Sequence, residues 1–262
     1  MSRICPLFSG STGNSTYIAS RDGGILIDAG ASMKGICNAI ERAGGDYKEI
    51  KAVAVTHTHS DHIKGLKTFL NRTDAALVAS KETAEFLCTN NLIPLKTEVI
   101  ITDGNPICVC GMELSSFKTK HDASGSCGYT VLLPDNKKIS VCTDLGVVTE
   151  DVRRAITGSD VLLIESNHDI DMLKNGPYPM HLKVRILSEN GHISNVACAA
   201  ELKKLMASGT MRFILGHLSQ HNNTPLLAQS CAESALMDIG AVNGKDYLLS
   251  VAKPKENGVT VI

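Results

Sequence analysis

The sequence predicts an α/β protein in which stacked β-strands form a layered sandwich with helices on the outside. Short apolar segments rich in β-branched residues recur along the chain, and stretches of helical periodicity separate some of them. In the first half several strands follow one another directly, whereas the rest alternates strand and helix. That mixture suits a sandwich better than a simple doubly wound sheet.

Taken in order, "STYIAS" (15–20) and "GILIDAG" (24–30) read as neighbouring strands, followed by a helix over "SMKGICNAIERAG" (32–44). "KAVAVTH" (51–57) is the next strand, and "DHIKGLKTFLN" (61–71) reads as one helix starting at its acidic end. Strand "AALVAS" (75–80), helix "SKETAEFLCTN" (80–90) and strand "EVIIT" (98–102) continue the pattern. "ELSSFKT" (113–119), "GYTVLLP" (128–134) and "KISVCTD" (138–144) are strands, the last two joined by a hairpin around Asp135 and Asn136. "DVLLIES" (160–166), the helix "SNVACAAELKKLMASG" (194–209), the strand "RFILGH" (212–217) and the helix "TPLLAQSCAESALMDIG" (224–240) complete the series. Thr224 before Pro225 is an N-cap with proline at the first helical position, and Gly240 is the stop. No repeat, low-complexity tract or long linker divides the chain, so residues 1–262 read as a single domain.

Composition narrows the function. With 43% hydrophobic and 20% charged residues the chain is ordinary globular protein, and a net charge of −1 predicts no broad field toward nucleic acid or anionic membrane. A local basic groove remains compatible with that balance. No apolar run is long enough to span a bilayer, and "MSRICPLFSGSTGN" lacks a signal-peptide core, so the expectation is a cytoplasmic protein without a membrane partner. The nine cysteines are scattered, which predicts buried, reduced thiols; "CVC" at 108–110 reads as ordinary strand. Absence of Trp argues against an extended base-stacking platform.

The chemistry concentrates in "THTHSDH" (56–62). On extended chain leaving a strand, His57 and His59 point the same way and reach one ion together. Asp61 and His62, at the following helix start, turn to another side and serve a second ion. Further candidates sit at strand ends: Asp28 after "GILI", His121 after "SSFKTK", Asp144 after "SVCT" and His217 after "FILG". Each alone is an ordinary cap or turn residue; together with the cluster they make a site at one sheet edge.

"LIDAG", "THTHSDH", the lone His121, "CTDLG" and "LGH" resemble, in order, the five motifs of the metallo-β-lactamase superfamily, over nearly the whole chain. The second motif is highly specific and the others are weaker singly. "LFSGSTGNSTYI", "ESNHD", "GPYP" and "GHISN" resemble more narrowly the YycJ/WalJ-like branch, which has been linked to exonuclease action on DNA. The resemblance implies an αββα four-layer sandwich with two metal ions at one edge. It assigns His57, His59 and His121 to the first ion, Asp61, His62 and His217 to the second, and Asp144 to both. Asp28 would orient the ligand loop without touching an ion. No long insert of the kind that clamps nucleic acid in larger nuclease relatives lies between "ESNHD" and the last motif.

Two divalent ions share and acidify a water, and the bridging hydroxide attacks phosphodiesters, esters, thioesters or lactams alike. Imidazole and carboxylate ligands admit zinc, manganese or iron. The expected function is a binuclear phosphodiesterase or exonuclease acting on DNA or other nucleic acid. The alternatives are a small-molecule ester, thioester or cyclic-nucleotide hydrolase, or a non-catalytic metal-binding regulator. The sequence names no protein partner. Asp61 is a candidate catalytic residue as well as a ligand, and His168, after "DVLLIES", is a candidate proton donor. His192 and Ser194 are candidate phosphate binders at a helix N-terminus. Cys127 is a rival ligand read as core, His181 as an exposed helix residue, and His221 as a loop residue competing with His217.

Overall fold

The computed structural model describes residues 2–262. Strands β1 (Arg3–Phe8), β2 (Ser15–Ser20), β3 (Gly23–Ile27), β4 (Ile50–Ala54), β5 (Ala76–Ala79) and β6 (Val99–Ile101) build the first sheet. Strands β7 (Ile107–Val109), β8 (Met112–Lys118), β9 (Cys127–Leu132), β10 (Lys138–Cys142), β11 (Val161–Glu165), β12 (Arg212–Gly216) and β13 (Leu248–Val251) build the second. The short β14 (Thr260–Val261) returns to pair with β1, giving seven strands in each sheet. The helices are α1 (Met33–Arg42), α2 (Ser60–Ile63), α3 (Leu66–Arg72), α4 (Lys81–Thr89), α5 (Glu150–Ile156), α6 (Ile170–Asn175), α7 (Met180–Leu187), α8 (Asn195–Ala207) and α9 (Pro225–Met237).

Side-chain alternation across the strands explains the layering. In the first sheet Leu7, Tyr17, Leu26, Val53 and Leu77 face outward and pack with Ile36 and Ile40 of α1, Leu66 and Phe69 of α3 and Leu87 of α4. Their neighbours Ile4, Ile18, Ile25, Ala52 and Val78 face inward and meet Leu114, Tyr129, Ile139, Val161 and Ile214 of the second sheet. On the far side Leu162, Ile164, Phe213 and Leu215 pack with Val152 of α5, Leu202 of α8 and Leu236 of α9. The result is the αββα four-layer sandwich.

Strand direction positions the site. β3 to β6 run parallel, as do β10 to β13, so the C-terminal ends within each set share an edge. In the β9–β10 hairpin Asn136 adopts φ 63°, as a tight turn requires. Thr224 Oγ1 caps α9 by accepting from the Leu227 amide at 3.2 Å. The predicted helix over 61–71 is instead two, α2 and α3, because the chain bends at Gly65 to pass the 29–31 loop. A Cβ there would lie 2.0 Å from the Ala31 carbonyl oxygen. All nine cysteines are free, but only Cys5, Cys127, Cys142 and Cys198 are buried, while Cys88 and Cys108 are exposed. No helix among the described residues is long and apolar enough to cross a membrane.

Candidate metal centre

Asp28 follows β3, Asp144 lies just beyond β10, and His217 follows β12. All three adopt left-handed backbone, with φ of 61°, 58° and 54°. The chain there breaks from the extended course and swings off the sheet edge. Asp and His are among the few non-glycine types that tolerate this conformation.

Asp28 organises the ligand loop. Its Oδ1 accepts from the Thr56 amide at 2.8 Å, and its Oδ2 accepts from the Thr56 hydroxyl at 2.8 Å and from His62 Nδ1 at 2.7 Å. His62 Nε2 is left to face Asp144 Oδ2 at 3.3 Å and Asp61 Oδ2 at 3.6 Å. With its own hydrogen committed to Asp28, the Thr56 hydroxyl accepts from His57 Nδ1 at 3.0 Å, which leaves His57 Nε2 as a free lone pair. Carboxylate and hydroxyl partners on the far nitrogen commonly fix the tautomer of metal-binding histidines. Gly30 lets the Asp28 loop lie directly on the ligand loop, since a Cβ there would sit 1.6 Å from the Asp61 carbonyl oxygen. Asn14 ties the two, its amide donating to the Asp61 carbonyl at 2.7 Å and its Nδ2 to Asp61 Oδ2 at 3.1 Å.

Ligand-type atoms of His57, His59 and His121 all lie within 4.8 Å of one another, and so do those of Asp61, His62 and His217. Asp144 joins His57 and His62 in one such group and His217 in another, so it stands between the two sets. His121 donates through Nδ1 to the Gly191 carbonyl at 3.1 Å, leaving Nε2 3.3 Å from His59 Nδ1. His57 Nε2, His217 Nε2 and Asp144 Oδ2 are buried without a hydrogen-bond partner. Such orphans are costly, at roughly 1–3 kcal/mol each, and all three are good donors to a divalent cation. Burial resists charge on Asp144, but His217 and His62 outweigh it and hold the carboxyl well below its usual range. Burial likewise opposes protonation of His62, yet Asp144 and Asp28 push its pKa up to about 10. The carboxylates therefore draw positive charge into this edge, and the residues present fit metal ions that would take the place of those protons.

Residues 24–218 match the family model described as the Beta-lactamase superfamily domain. The Exodeoxyribonuclease YycJ of Bacillus anthracis is 33% identical over 252 residues, covering 95% of this chain and 94% of the relative. The chain belongs to the metallo-β-lactamase superfamily, in its YycJ/WalJ branch. The Exodeoxyribonuclease WalJ of Streptococcus pneumoniae is 30% identical over 251 residues, covering 95% and 93%. Among solved structures, the metallo-beta-lactamase fold protein YhfI from Bacillus subtilis superposes over 100% of both chains with a TM-score of 0.74 at 14% identity. As a member of this superfamily with clustered His and Asp ligands, the chain is a metal-dependent hydrolase.

One central residue of this metallo-β-lactamase site went unassigned in the sequence. Glu165 ends β11 fully buried. Its Oε1 accepts from His217 Nδ1 at 2.7 Å and His192 Nδ1 at 2.8 Å, and its Oε2 from the Ile193 amide at 3.1 Å and the Leu145 amide at 3.3 Å. Burial alone would raise its pKa, but the two imidazoles hold it down at about 2. Position is its one trace in the sequence: Glu165 ends its strand as Asp144 follows the parallel neighbour, which by itself is also what an ordinary strand terminus looks like.

Other expected residues are placed differently from one another. His192 lines a cleft of about 240 Å³ together with Asp61, Asp144 and His217. His168 is 1% exposed, lies outside the residues lining that cleft, and has both ring nitrogens unpartnered. Burial pushes its pKa down to about 4. Ser194 caps α8, accepting from the Ala197 amide at 3.2 Å, and does not line the cleft. His221 is exposed with its ring 5.7 Å from that of Tyr178, outside every ligand group. Cys127 is also outside them, and burial pushes its thiol up to about 12, far from the thiolate a metal takes. His181 is exposed on α7.

Proposed function

We propose that this chain is a binuclear phosphodiesterase that shortens DNA from an end. His57, His59 and His121 would hold one ion, Asp61, His62 and His217 the other, and Asp144 both; zinc, manganese and iron all suit this donor set. Bound together, such ions lower the pKa of a shared water and neutralise charge developing on a phosphoryl oxygen. Asp61, partly exposed in the cleft, orients that water by accepting its hydrogen bond. His192 donates the proton to the leaving oxygen through Nε2, while Glu165 accepts from its Nδ1 and fixes the orientation of the ring. His168, buried and not lining the cleft, is given a structural role in this scheme. His217, shared between Glu165 and the ligand set, keeps the same carboxylate in register with the second ion.

The observation that carries this reading is the meeting of two three-residue ligand groups at Asp144. The choice of DNA is supported by the names of the two relatives aligned over 95% of the chain. We also read residues 1–262 as one domain acting in the cytoplasm. A second reading, a small ester, thioester or cyclic-nucleotide hydrolase, is favoured by the cleft of about 240 Å³, below the usual range for ligand pockets. The complete ligand set speaks against a purely regulatory metal binder.

The test is hydrolysis of end-labelled single- and double-stranded oligonucleotides with manganese and with zinc, beside a small phosphodiester and a thioester. Stepwise shortening with 5′-phosphate products is expected, because attack at phosphorus expels the 3′ oxygen. Products carrying only 3′-phosphate, or robust thioester hydrolysis beside intact DNA, would overturn the reading.

A further inference from the structure

Facing the metal-binding residues, the cleft has a second wall of different chemistry. Helix α7 turns Leu182, Arg185 and Ile186 into it, positions i, i+3 and i+4 on one helical face. Tyr178, just ahead of α7, and Leu218, just after β12, extend the wall. None of these residues belongs to a ligand group.

Arg185 is the only lysine or arginine lining the cleft among the described residues. Its Nε donates to Asp122 Oδ2, and its Nη1 and Nη2 make no hydrogen bond with the described residues. The guanidinium is thus anchored at one corner with its remaining donors free. Asp122 Oδ1 in turn lies 3.3 Å from His121 Nε2 and 3.6 Å from His59 Nε2, which puts the pair at the margin of the first ligand set. Asp144 and Asp61 also contribute to the raised pKa of Arg185, behind its hydrogen bond to Asp122, so the cation stays charged next to the centre. Half-buried Tyr178 also lines the cleft, with its ring against that of His221 at an interplanar angle of 61°.

We propose that this wall is the subsite for the terminal nucleotide of a nucleic acid strand. Arg185 grips a backbone phosphate next to the cleaved bond, and the Tyr178 ring, with Leu182 and Leu218, receives the base. The inference rests on the phosphodiesterase reading above. Its chemistry follows from what the cleft must do. A net charge of −1 supplies no general field to draw nucleic acid in, so a backbone phosphate flanking the metal centre needs a local cation of its own. A fixed guanidinium fork is the side chain best matched to phosphate oxygens, and aromatic faces accept any base. A single cation in about 240 Å³ suits a grip on one nucleotide rather than on a long tract, which is what action at a strand end needs.

The experiment compares wild type with Arg185→Ala, Arg185→Lys, Tyr178→Ala and Tyr178→Phe, each checked for folding by thermal melting. Arg185→Ala should raise KM for oligonucleotides about 10–100-fold, the value of a charge-assisted hydrogen-bonding pair, with metal content as in wild type. It should also flatten the plot of log kcat/KM against log salt by about 0.7, the loss of one phosphate contact on a single strand. Arg185→Lys should restore that slope but not the full affinity, since lysine keeps the charge and loses the fork. Tyr178→Ala should raise KM about tenfold or more for a normal terminal nucleotide and not for one lacking its base, and Tyr178→Phe should recover most of the loss. An unchanged salt slope in Arg185→Ala, or metal lost in step with activity, would reduce Arg185 to a support for Asp122 and overturn the proposal. So would a Tyr178→Ala defect that persists on the abasic end. Wild type that hydrolyses another ester but no DNA would instead remove the phosphodiesterase reading, and this inference with it.

Discussion

Glu165→Gln is the sharpest probe of the centre, because it keeps the shape of the side chain and exchanges one oxygen for an amide. The carboxylate accepts four hydrogen bonds, two from imidazole Nδ1 atoms and two from backbone amides. A glutamine oxygen serves only one of these pairs, so its NH2 confronts the other pair, donor against donor, in a fully buried position. Losing two hydrogen bonds at about 1 kcal/mol each, with at least one buried donor stranded at about 1–3 kcal/mol, costs on the order of 3–5 kcal/mol. At about 2–4 °C per kcal/mol for a chain of this size, metal-free protein should melt about 6–20 °C lower. Because His217 loses its orienting partner, affinity for the second ion should fall about 10–100-fold. Calorimetry of the chelated protein and a zinc or manganese titration measure the two effects. The pH dependence supplies an internal check. The folded pKa of about 2 lies below the ordinary 4.5, so the stabilisation from this charge is complete above pH 4.5 and disappears as pH falls toward 2. The gap in melting temperature between wild type and variant should therefore narrow across that window. A variant that melts within about 2 °C of wild type and binds both ions with unaltered affinity would refute the organising role of Glu165.

The remaining expectations concern the ligand groups and the cleft. Protein purified without chelator should carry two ions per chain by elemental analysis. His217→Ala should lose one of them and nearly all activity while His221→Ala keeps both; the opposite pattern, or full activity at one ion, would defeat the binuclear assignment. His192→Ala should keep both ions and slow turnover about 10²–10⁴-fold on a substrate with a poor leaving group, whereas His168→Gln should act on stability. The folded pKa of His168, about 4, lies below the ordinary 6.5, so the unfolded chain binds its proton first and metal-free wild type loses stability as pH falls from 6.5 to 4. Smaller loss in His168→Gln is the expected melting result, and a rate defect like that of His192→Ala would restore His168 to catalysis.

The parts of this site that were legible in the sequence are those written locally. His57, His59, Asp61 and His62 fall within one short motif, and Asp28, Asp144 and His217 each interrupt an apolar strand at its end. Glu165 was hidden because its meaning lies in partners 27 and 52 residues away, and nothing near it in the chain distinguishes a ligand-orienting carboxylate from a strand terminus. His168 is a candidate by position, since it follows the strand beside the one that delivers Asp144, but it is Glu165, ending that strand, whose carboxylate meets His192 and His217. Tyr178 lies in "GPYP", which marks the branch without naming a role, and Arg185 carries no local mark, since the face of α7 acquires significance only beside the cleft. In the fold, β1 escaped notice because it holds Pro6, next to which its pairing shifts register, and β14 is too short to show any period. The break between α2 and α3 was invisible for a similar reason, since only the packing of Gly65 against Ala31 reveals it.

The ligand groups draw on both sheets. The loop after β4 brings His57, His59, Asp61 and His62 from the first, while His121, Asp144 and His217 come from the second. Beside them the Cys127 amide reaches the Thr56 carbonyl at 3.0 Å, and the His217 amide reaches Ser9 Oγ at 2.8 Å. The centre is therefore a gauge of alignment between two separately formed slabs. A sandwich whose sheets had each paired correctly but settled one residue out of step would displace one half of the donor set by about 3.3 Å, more than a coordination bond tolerates. Such a chain would keep its helices, its strands and most of its buried surface, and would be blind to metal. Ion capture during refolding thus reports a different event from the recovery of secondary structure: the moment at which the two slabs come into register.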